Sequence, residues 1–478
     1  MIVENRYISA VGGYLPLLRL DRRAAAKALA STGLGLPKKG VKAAANWDED
    51  ALTMAVEAAR PVSRAQSVDE VVFASTSAFF TERQQAAIMV DALNLPRDIR
   101  TQDVANSRRA AVSELLRALL GGSNSLLCVG ERRATTAGSP QNLNYGDGAA
   151  ACLVSDSGGA KLLGFASRSF DFVDTYASVD RRSPYQYEAR FIRDVAVEQV
   201  IAPAIQQACD NAGVTAADID YAVIPEPSAG AYRVLAKALG LQAKDVAGDL
   251  HTNAGDLGAA HSLFALGLAL GQAKLGDTIL LCGFGGGCDA LVLKYESEVR
   301  GASELQDYLN QGVVFYDYLR FLNLHGALDI DWGMRAEFVQ KAQGSVLARK
   351  GRDMMGFVGG RDSEGNVQFP KSPLPVNPKL KEPQEFTDVP LADELGKVVS
   401  CTADRLSYCP DPPFAYGLVQ FDNGARVMME FADTNGRPPQ VGEQVRMRFR
   451  IKSKDGSRGF RTYFWKAAPK NRSCVEAS

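Results

Sequence analysis

Two kinds of hydrophobic spacing divide this chain. Over roughly the first 300 residues, short unbroken apolar runs alternate with stretches whose apolar positions recur every three or four residues. Runs such as EVVFA, SLLCVG and TILLCG read as strands buried on both faces, and AAVSELLRALL reads as a helix with one apolar side. From Gly396 onward, apolar and polar positions alternate singly, as in FAYGLVQF and ARVMMEF, which predicts half-buried strands. Between these regions lie a polar connector (ESEVRGASELQDYLNQG), an aromatic-rich run expected to be a helix (Val313 to Leu324), and an irregular Gly/Pro-rich stretch from Gly351 to Pro383.

The first region repeats itself. DEVVFASTSAFFTERQQAAIMVDALNL (69–95) aligns with IDYAVIPEPSAGAYRVLAKALGL (219–241): an acidic start, a strand, Ser-Ala, then a helix closing on A-L-x-L. An Ala-rich helix precedes each copy, and a small-residue helix and another apolar strand follow, at an offset near 150 residues. This order of elements predicts a duplicated α/β unit. In the second region D-N-G between alternating strands is a hairpin signal, and five short strands in about 80 residues predict a small barrel.

Composition adds bounds. With 46% hydrophobic and 23% charged residues and a net charge of -1, nothing global points to nucleic acid or a membrane. No apolar run approaches the ~18 residues of a membrane-spanning helix, and the N-terminus lacks the order of a signal peptide. Eight scattered cysteines, none in a CxxC pair, suggest reduced thiols and a cytoplasmic location. Residues 441–478 carry a net +7, leaving -8 on the rest. Arg446, Arg448, Arg450 and Lys452 share one strand face, which fits phosphate binding or contact with the acidic duplicated region better than nucleic acid.

One stretch conflicts with helix physics. DVANSRRAAVSELLRALL places Arg108 and Arg109 at a helix start, where unpaired N–H groups disfavour cations. Either Asp103 or Glu114 pairs with them, or they face an anionic substrate group.

The motifs YGDGAAACLV (145–154), NAGDLGAAHS (253–262) and GFGGGCDALVL (283–293) give the duplicated region a resemblance to the thiolase superfamily. It is most similar to 3-hydroxy-3-methylglutaryl-CoA synthase and ketoacyl synthase III. FYDYLRFLNLHG, NVQFP and FAYGLVQFDNGARVMMEF resemble the OB-fold proteins that accompany acyl-CoA thiolases. The resemblance implies an α/β duplicated thiolase fold (αβαβα), halves 1–165 and 166–298, then a helical linker and degenerate ribbon (299–384) and an all-β OB-fold barrel (385–478). It also implies a homodimer acting on an acyl-CoA or acyl-carrier-protein thioester, making or breaking a carbon–carbon bond. No nucleic-acid or membrane partner is expected. The zinc ribbon of such OB proteins needs four ligands, and GGRDSEGNVQFPKSPLPVNP holds no cysteine, so no zinc and no other cofactor are expected.

The family's catalytic set does not carry over. The nucleophilic cysteine falls at Arg108, beside Ser107; the histidine at Pro225 or Glu226; the glutamate near Thr76; the asparagine at Asp256. An oxyanion hole without a cysteine still suits enolate chemistry, so aldol or retro-aldol reaction on a β-hydroxyacyl-CoA is one alternative and a non-catalytic scaffold for a partner thiolase another. The candidates each have two readings. Glu226 and Asp256 are bases if burial raises their pKa, or a solvated loop residue and a helix cap. Ser107 is a cap or a nucleophile. Cys288, after GFGGG, is core packing or a fallback nucleophile. Gly285, Gly286 and His251 are candidate oxyanion or substrate-binding groups, and His261 is expected to be packed.

Overall fold

The structure, a computed structural model, describes residues 6–337, 341, 343–383 and 385–470. These form two compact units. The first comprises residues 1–45, 54–87 and 98–318; the second comprises 46–53, 88–97 and 319–478.

Ten strands make the framework of the first unit: β1 (Tyr7–Tyr14), β2 (Glu70–Ala74), β3 (Arg100–Val104), β4 (Ser125–Glu131), β5 (Gly148–Ser155), β6 (Ala160–Ser169), β7 (Tyr221–Val223), β8 (Lys244–Asp245), β9 (Thr278–Phe284) and β10 (Gly287–Tyr295). Their order is β8-β7-β9-β10-β6-β1-β5-β4-β2-β3. The two halves match strand for strand. β2 is parallel to β3 and β4 while β5 is antiparallel to β4 and β1, and β7, β8, β9, β10 and β6 repeat this pattern. The duplication read from the sequence is therefore present in the pairing itself. The halves are not separate sheets, because β1 and β6 pair antiparallel through Tyr7 with Lys161 and Ile8 with Ala160.

The helices that matter for the site are α1 (Ala110–Leu120), α2 (Ala202–Ala212), α3 (Ala231–Leu239), α4 (Val246–Ala254) and α5 (Ala259–Gln272). Every residue of α5 from Ala259 to Leu270 is buried, so it is apolar on all sides, as a central helix must be. It packs on α1, α4, β4, β5 and β9 in one core, while α2, α3 and β10 supply a second. The expected helix from Val313 to Leu324 is instead a strand, Val313–Phe315, pairing with Leu18–Leu20, followed by a helix, Tyr318–Leu324. The β-branched valines suit the strand.

The second unit is built on strands β11 (Gly396–Val398), β12 (Thr402–Asp404), β13 (Phe414–Phe421), β14 (Arg426–Glu430), β15 (Gln444–Asp455) and β16 (Phe460–Pro469). β11 pairs with β13 and β15, β13 with β14, and β15 with β16. A bridge from Phe431 to Ala467 brings the end of β14 back to β16, closing a ring of five strands, with β12 added on β13. The D-N-G hairpin forms as its sequence predicts, with Gly424 at φ +91°. On the basic face of β15, Arg448 and Arg450 are buried while Lys452 stays half exposed. Arg450 is fully buried, its Nη2 lying 3.0 Å from Glu49 and 3.2 Å from Asp433; Lys466 on β16 lies 3.0 Å from Asp48 and 2.9 Å from Glu430. Asp50 takes Arg461 at 2.9 Å and the Tyr463 hydroxyl at 3.0 Å. Lys452, on the same strand, pairs with Glu430. The acidic partners of this face are thus residues 48–50, which belong to the same unit. No helix among the described residues is long and apolar enough to cross a membrane, and none of their His, Cys, Asp and Glu side chains cluster in a way that would hold a metal.

Candidate active site

The duplication brings three chain segments to one place in the first unit. β7 ends at Val223, and the prolines of IPEP stop it from continuing, since Pro225 and Pro227 have no N–H to give a ladder. The NAGD segment joins α4 to α5. It lies along the YGDG motif: Tyr145 and Asp256 form a bridge, Gly146 N–H donates to Asp256 O at 3.0 Å, and Asp256 N–H donates to Asn144 O at 2.8 Å. Gly258, at φ +58°, lets the turn pass close beneath; a Cβ there would lie 3.1 Å from Arg133 and from Glu131. The third segment is the start of α1.

Between them is a cleft of about 550 Å³, open mouth included. Arg108, Glu226, His251 and Asp256 line it, beside apolar surface from Ile224 and Phe284. Four expected residues therefore converge, from positions up to 148 apart in the chain.

The two arginines part company. Arg108 faces the cleft and pairs with Asp174, its side chain 22% exposed and that of Asp174 only 4%. Burial alone would lower the Arg108 pKa, but Asp174, with Tyr145 and Asp256, outweighs it and holds the guanidinium firmly charged. Arg109 turns toward Asp289 at 3.9 Å and donates to Arg168 O at 3.3 Å. The alternative of a network with Asp103 and Glu114 is overturned: Asp103 accepts from the N–H groups of Gln85 and Ala86, and Glu114 pairs with Arg117. Each arginine at this helix start is answered by an acid from elsewhere in the fold.

Asp256 is not a base awaiting a raised pKa. Burial would raise it, yet Arg133, whose Nη2 lies 3.2 Å from its Oδ2, together with His261, Arg108 and His251, holds it well below the usual carboxylate range. Its Oδ1 accepts the Gly258 N–H at 2.8 Å, close to the capping role. Glu226 is exposed at the rim and accepts from Gly230 and Tyr232 N–H at the start of α3, so burial does not activate it. Ser107 donates to Gly285 O at 2.9 Å and accepts from Arg109 N–H at 3.2 Å, which engages it as a local cap. Cys288 is fully buried: it packs in the core with Cys282, Phe284 and Val292 and does not line the cleft. Gly285 cannot offer its N–H, which bonds Gly287 O at 3.0 Å, and Gly286 stands exposed outside the cleft lining. His251 does line the cleft. Burial, with His261, Arg22 and Arg133, pulls its pKa down to about 4 against the opposing pull of Asp256, so the ring is neutral. His261 is packed as expected, accepting Leu257 N–H at Nδ1 (3.3 Å) with Nε2 3.0 Å from Ala247 O.

Three residues of the site were not singled out beforehand. Arg133 stacks 3.5 Å above the Tyr145 ring and grips Asp256. Asp174 is the counter-ion of Arg108. Glu131, fully buried, accepts from Thr76 N–H and Oγ1 at 2.9 Å, from Ser77, and from Ala259 N–H at the start of α5, and burial raises its pKa despite Arg133. It thus anchors to Thr76, the position where the resemblance put the family's glutamate. The signal for Arg133 and Glu131 was present: a GERR cluster at the carboxyl end of a parallel strand, where α/β sheets place ligands.

A doubled α/β unit whose two central helices start at one cleft is the architecture of the thiolase-type condensing enzymes. Solved structures share it: an HMG-CoA synthase complexed with CoA aligns at a TM-score of 0.59 and 17% identity over 71% of this chain and 95% of its own. The 3-oxoacyl-(acyl carrier protein) synthase III of Pseudomonas aeruginosa aligns at 0.53 and 20% identity, over 62% and 99%. The family model for the C-terminal part of 3-oxoacyl-[acyl-carrier-protein] synthase III matches residues 209–295, which include Glu226, His251 and Asp256. A hydroxymethylglutaryl-CoA synthase of Aeropyrum pernix is 30% identical over 356 residues, 71% of this chain and 94% of the relative, and one of Pyrococcus horikoshii is 24% identical over 66% and 95%. The chain belongs to the hydroxymethylglutaryl-CoA synthase family.

Proposed function

We propose that this protein is a condensing enzyme that forms a carbon–carbon bond beside the carbonyl of an acyl-CoA or acyl-carrier thioester, without forming an acyl-cysteine. The observation that carries this reading is Arg108: at the start of α1, where the family holds its nucleophile, a charged guanidinium faces the cleft. A cation there cannot accept an acyl group, but it stabilises the negative charge that develops on a thioester oxygen when the neighbouring carbon becomes an enolate. Arg133 and Asp256 hold the floor of the cleft in place, and Phe284 and Ile224 exclude water from one wall. The same groups serve the reverse, aldol-cleaving direction. Coenzyme A enters as substrate, and no resident cofactor is needed for this chemistry.

The test is to incubate the protein with acetyl-CoA and a panel of aldehydes and ketones and to search for a β-hydroxyacyl-CoA by mass spectrometry. An intact-mass acyl adduct on Ser107 or Cys288 would sink the non-covalent reading, and silence in both directions would favour a scaffold.

The wider reading has three further parts. Five strands of the second unit close in the order β11-β13-β14-β16-β15, which supports an OB barrel over 385–478, following the 1–165 and 166–298 halves in the chain. The outer edge strand β3 has no second neighbour in the sheet and is largely exposed, which supports a homodimer formed across that edge. The described cysteines are all unpaired, which supports a reducing, cytoplasmic setting.

A further inference from the structure

We infer that His251 is the catalytic base that removes the proton from the carbon next to the thioester carbonyl, a role the family's motif gives to no residue of α4. The inference rests on the condensing function proposed above.

The argument runs by engagement of lone pairs. The chain has three histidines, and His325 belongs to the second unit. His261 has its Nδ1 lone pair occupied by Leu257 N–H, which fixes the proton on Nε2, where Ala247 O receives it; both ring nitrogens are used. The His251 ring makes no hydrogen bond among the described residues. Its recorded ring neighbour is His261, edge to face at 6.4 Å. It lines the cleft together with Arg108 and Asp256. The carboxylates do not compete: Asp256 is gripped by Arg133, Glu131 is sealed beneath four donors, and Glu226 caps α3 in solvent. Among the described residues of the cleft, His251 therefore offers the unengaged basic nitrogen.

Its surroundings keep that nitrogen available. Arg22, which donates to the His251 carbonyl at 3.0 Å, joins Arg133 and His261 in disfavouring the imidazolium, as does burial; Asp256 opposes them, and Arg108 and Glu226 line the same cleft. The ring stays neutral until the pH falls to about 4. A base of this kind is weak, so the enolate it makes must be strongly stabilised, and Arg108 is the group placed to do so.

The step balances. Neutral His251 takes the α-hydrogen as a proton, and the C–H pair becomes the enolate, its charge on the thioester oxygen opposite Arg108. The enolate carbon attacks the carbonyl carbon of an aldehyde or ketone, forming the carbon–carbon bond. The carbonyl π pair moves to oxygen, which takes the proton back from the imidazolium. The product is a β-hydroxyacyl thioester, and no oxidant, reductant or water is consumed.

The experiment is α-deuterium wash-in to acetyl-CoA and octanoyl-CoA in D2O, read by mass spectrometry. Wild type is expected to exchange, with a rate that falls as acid protonates His251 near pH 4. His251→Gln should lose on the order of 100-fold in exchange while keeping its melting temperature and acyl-CoA affinity, and His251→Gly should regain exchange when imidazole is added. A His251→Gln variant that exchanges as fast as wild type overturns this inference alone. So does loss of exchange together with acyl-CoA binding and without imidazole rescue of His251→Gly, the mark of a structural role. A wild type that exchanges no proton overturns the condensing reading as well.

Discussion

Two clusters of buried charge, one in each unit, follow opposite plans. In the second unit, Arg450 and Lys466 are 0% and 2% exposed, and carboxylates meet them on several sides. In the first, Arg108 has one close carboxylate, Asp174, keeps 22% of its side chain exposed, and stands beside a histidine whose ring bonds nothing. The cluster of the second unit is sealed, and that of the first unit is open on one side. Charge that is fully matched can only hold structure, because displacing any partner strands another. Charge that is matched on one side and open on the other can exchange its partner for a ligand. The proposed location of the chemistry rests on that difference rather than on the number of charges.

The comparison can be broken by substitution. Arg450→Met takes a cation from Glu49, Asp433 and Asp48, of which Asp48 keeps Lys466 and Asp433 keeps Arg448, and should cost about 3–5 kcal/mol in denaturant unfolding. Adding Glu49→Gln and Asp433→Asn should restore most of it; no loss in the single variant would show the cluster is not sealed. Arg108→Ala combined with Asp174→Asn, which leaves no carboxylate alone, should lower turnover by about 100-fold or more with little change in melting. Near-normal turnover there would place the chemistry elsewhere.

Smaller effects sharpen the contrast. Because the folded His251 pKa lies near 4, below its ordinary value, the unfolded chain binds a proton the folded chain refuses. Stability should therefore fall as the pH drops through the interval between the two, by at most about 3 kcal/mol, and His251→Gln should flatten that slope. Last, Lys452→Ala removes a half-exposed partner of Glu430 and should cost under about 1 kcal/mol, a value that added salt erases.

Much of the fold was legible because it is written in period and repetition. The strands VVFA, SLLCVG and TILLCG, the doubled order of elements and the D-N-G hairpin are local patterns, and local patterns survive in one dimension. The cleft was partly legible: Arg108, His251, Asp256 and Glu226, all named from the sequence, line one cleft, yet their roles did not follow. Ser107 and Asp256 look reactive in sequence and prove to be engaged, because their partners, Gly285 and Arg133, lie more than 100 residues away. Asp174 sits in a segment with no periodicity, so nothing marked it as the ion that answers Arg108. Nothing in the local sequence marks residues 48–50; only their pairing with β15 and β16 shows what their charge is for.

That last pairing has a consequence for how the molecule comes into being. Asp50 and Arg461 are 411 residues apart, and the ribosome makes the acidic strip first. At ordinary rates of translation roughly 20–80 seconds pass before its cations emerge. Until then three consecutive carboxylates must stay in water, and the barrel that will enclose them cannot close. A chain released early would carry this strip exposed, with no surface of its own to bury it. The ring of strands therefore closes only once β16 has been made, and a gene cut anywhere between the strip and β16 would separate two parts of one folding unit.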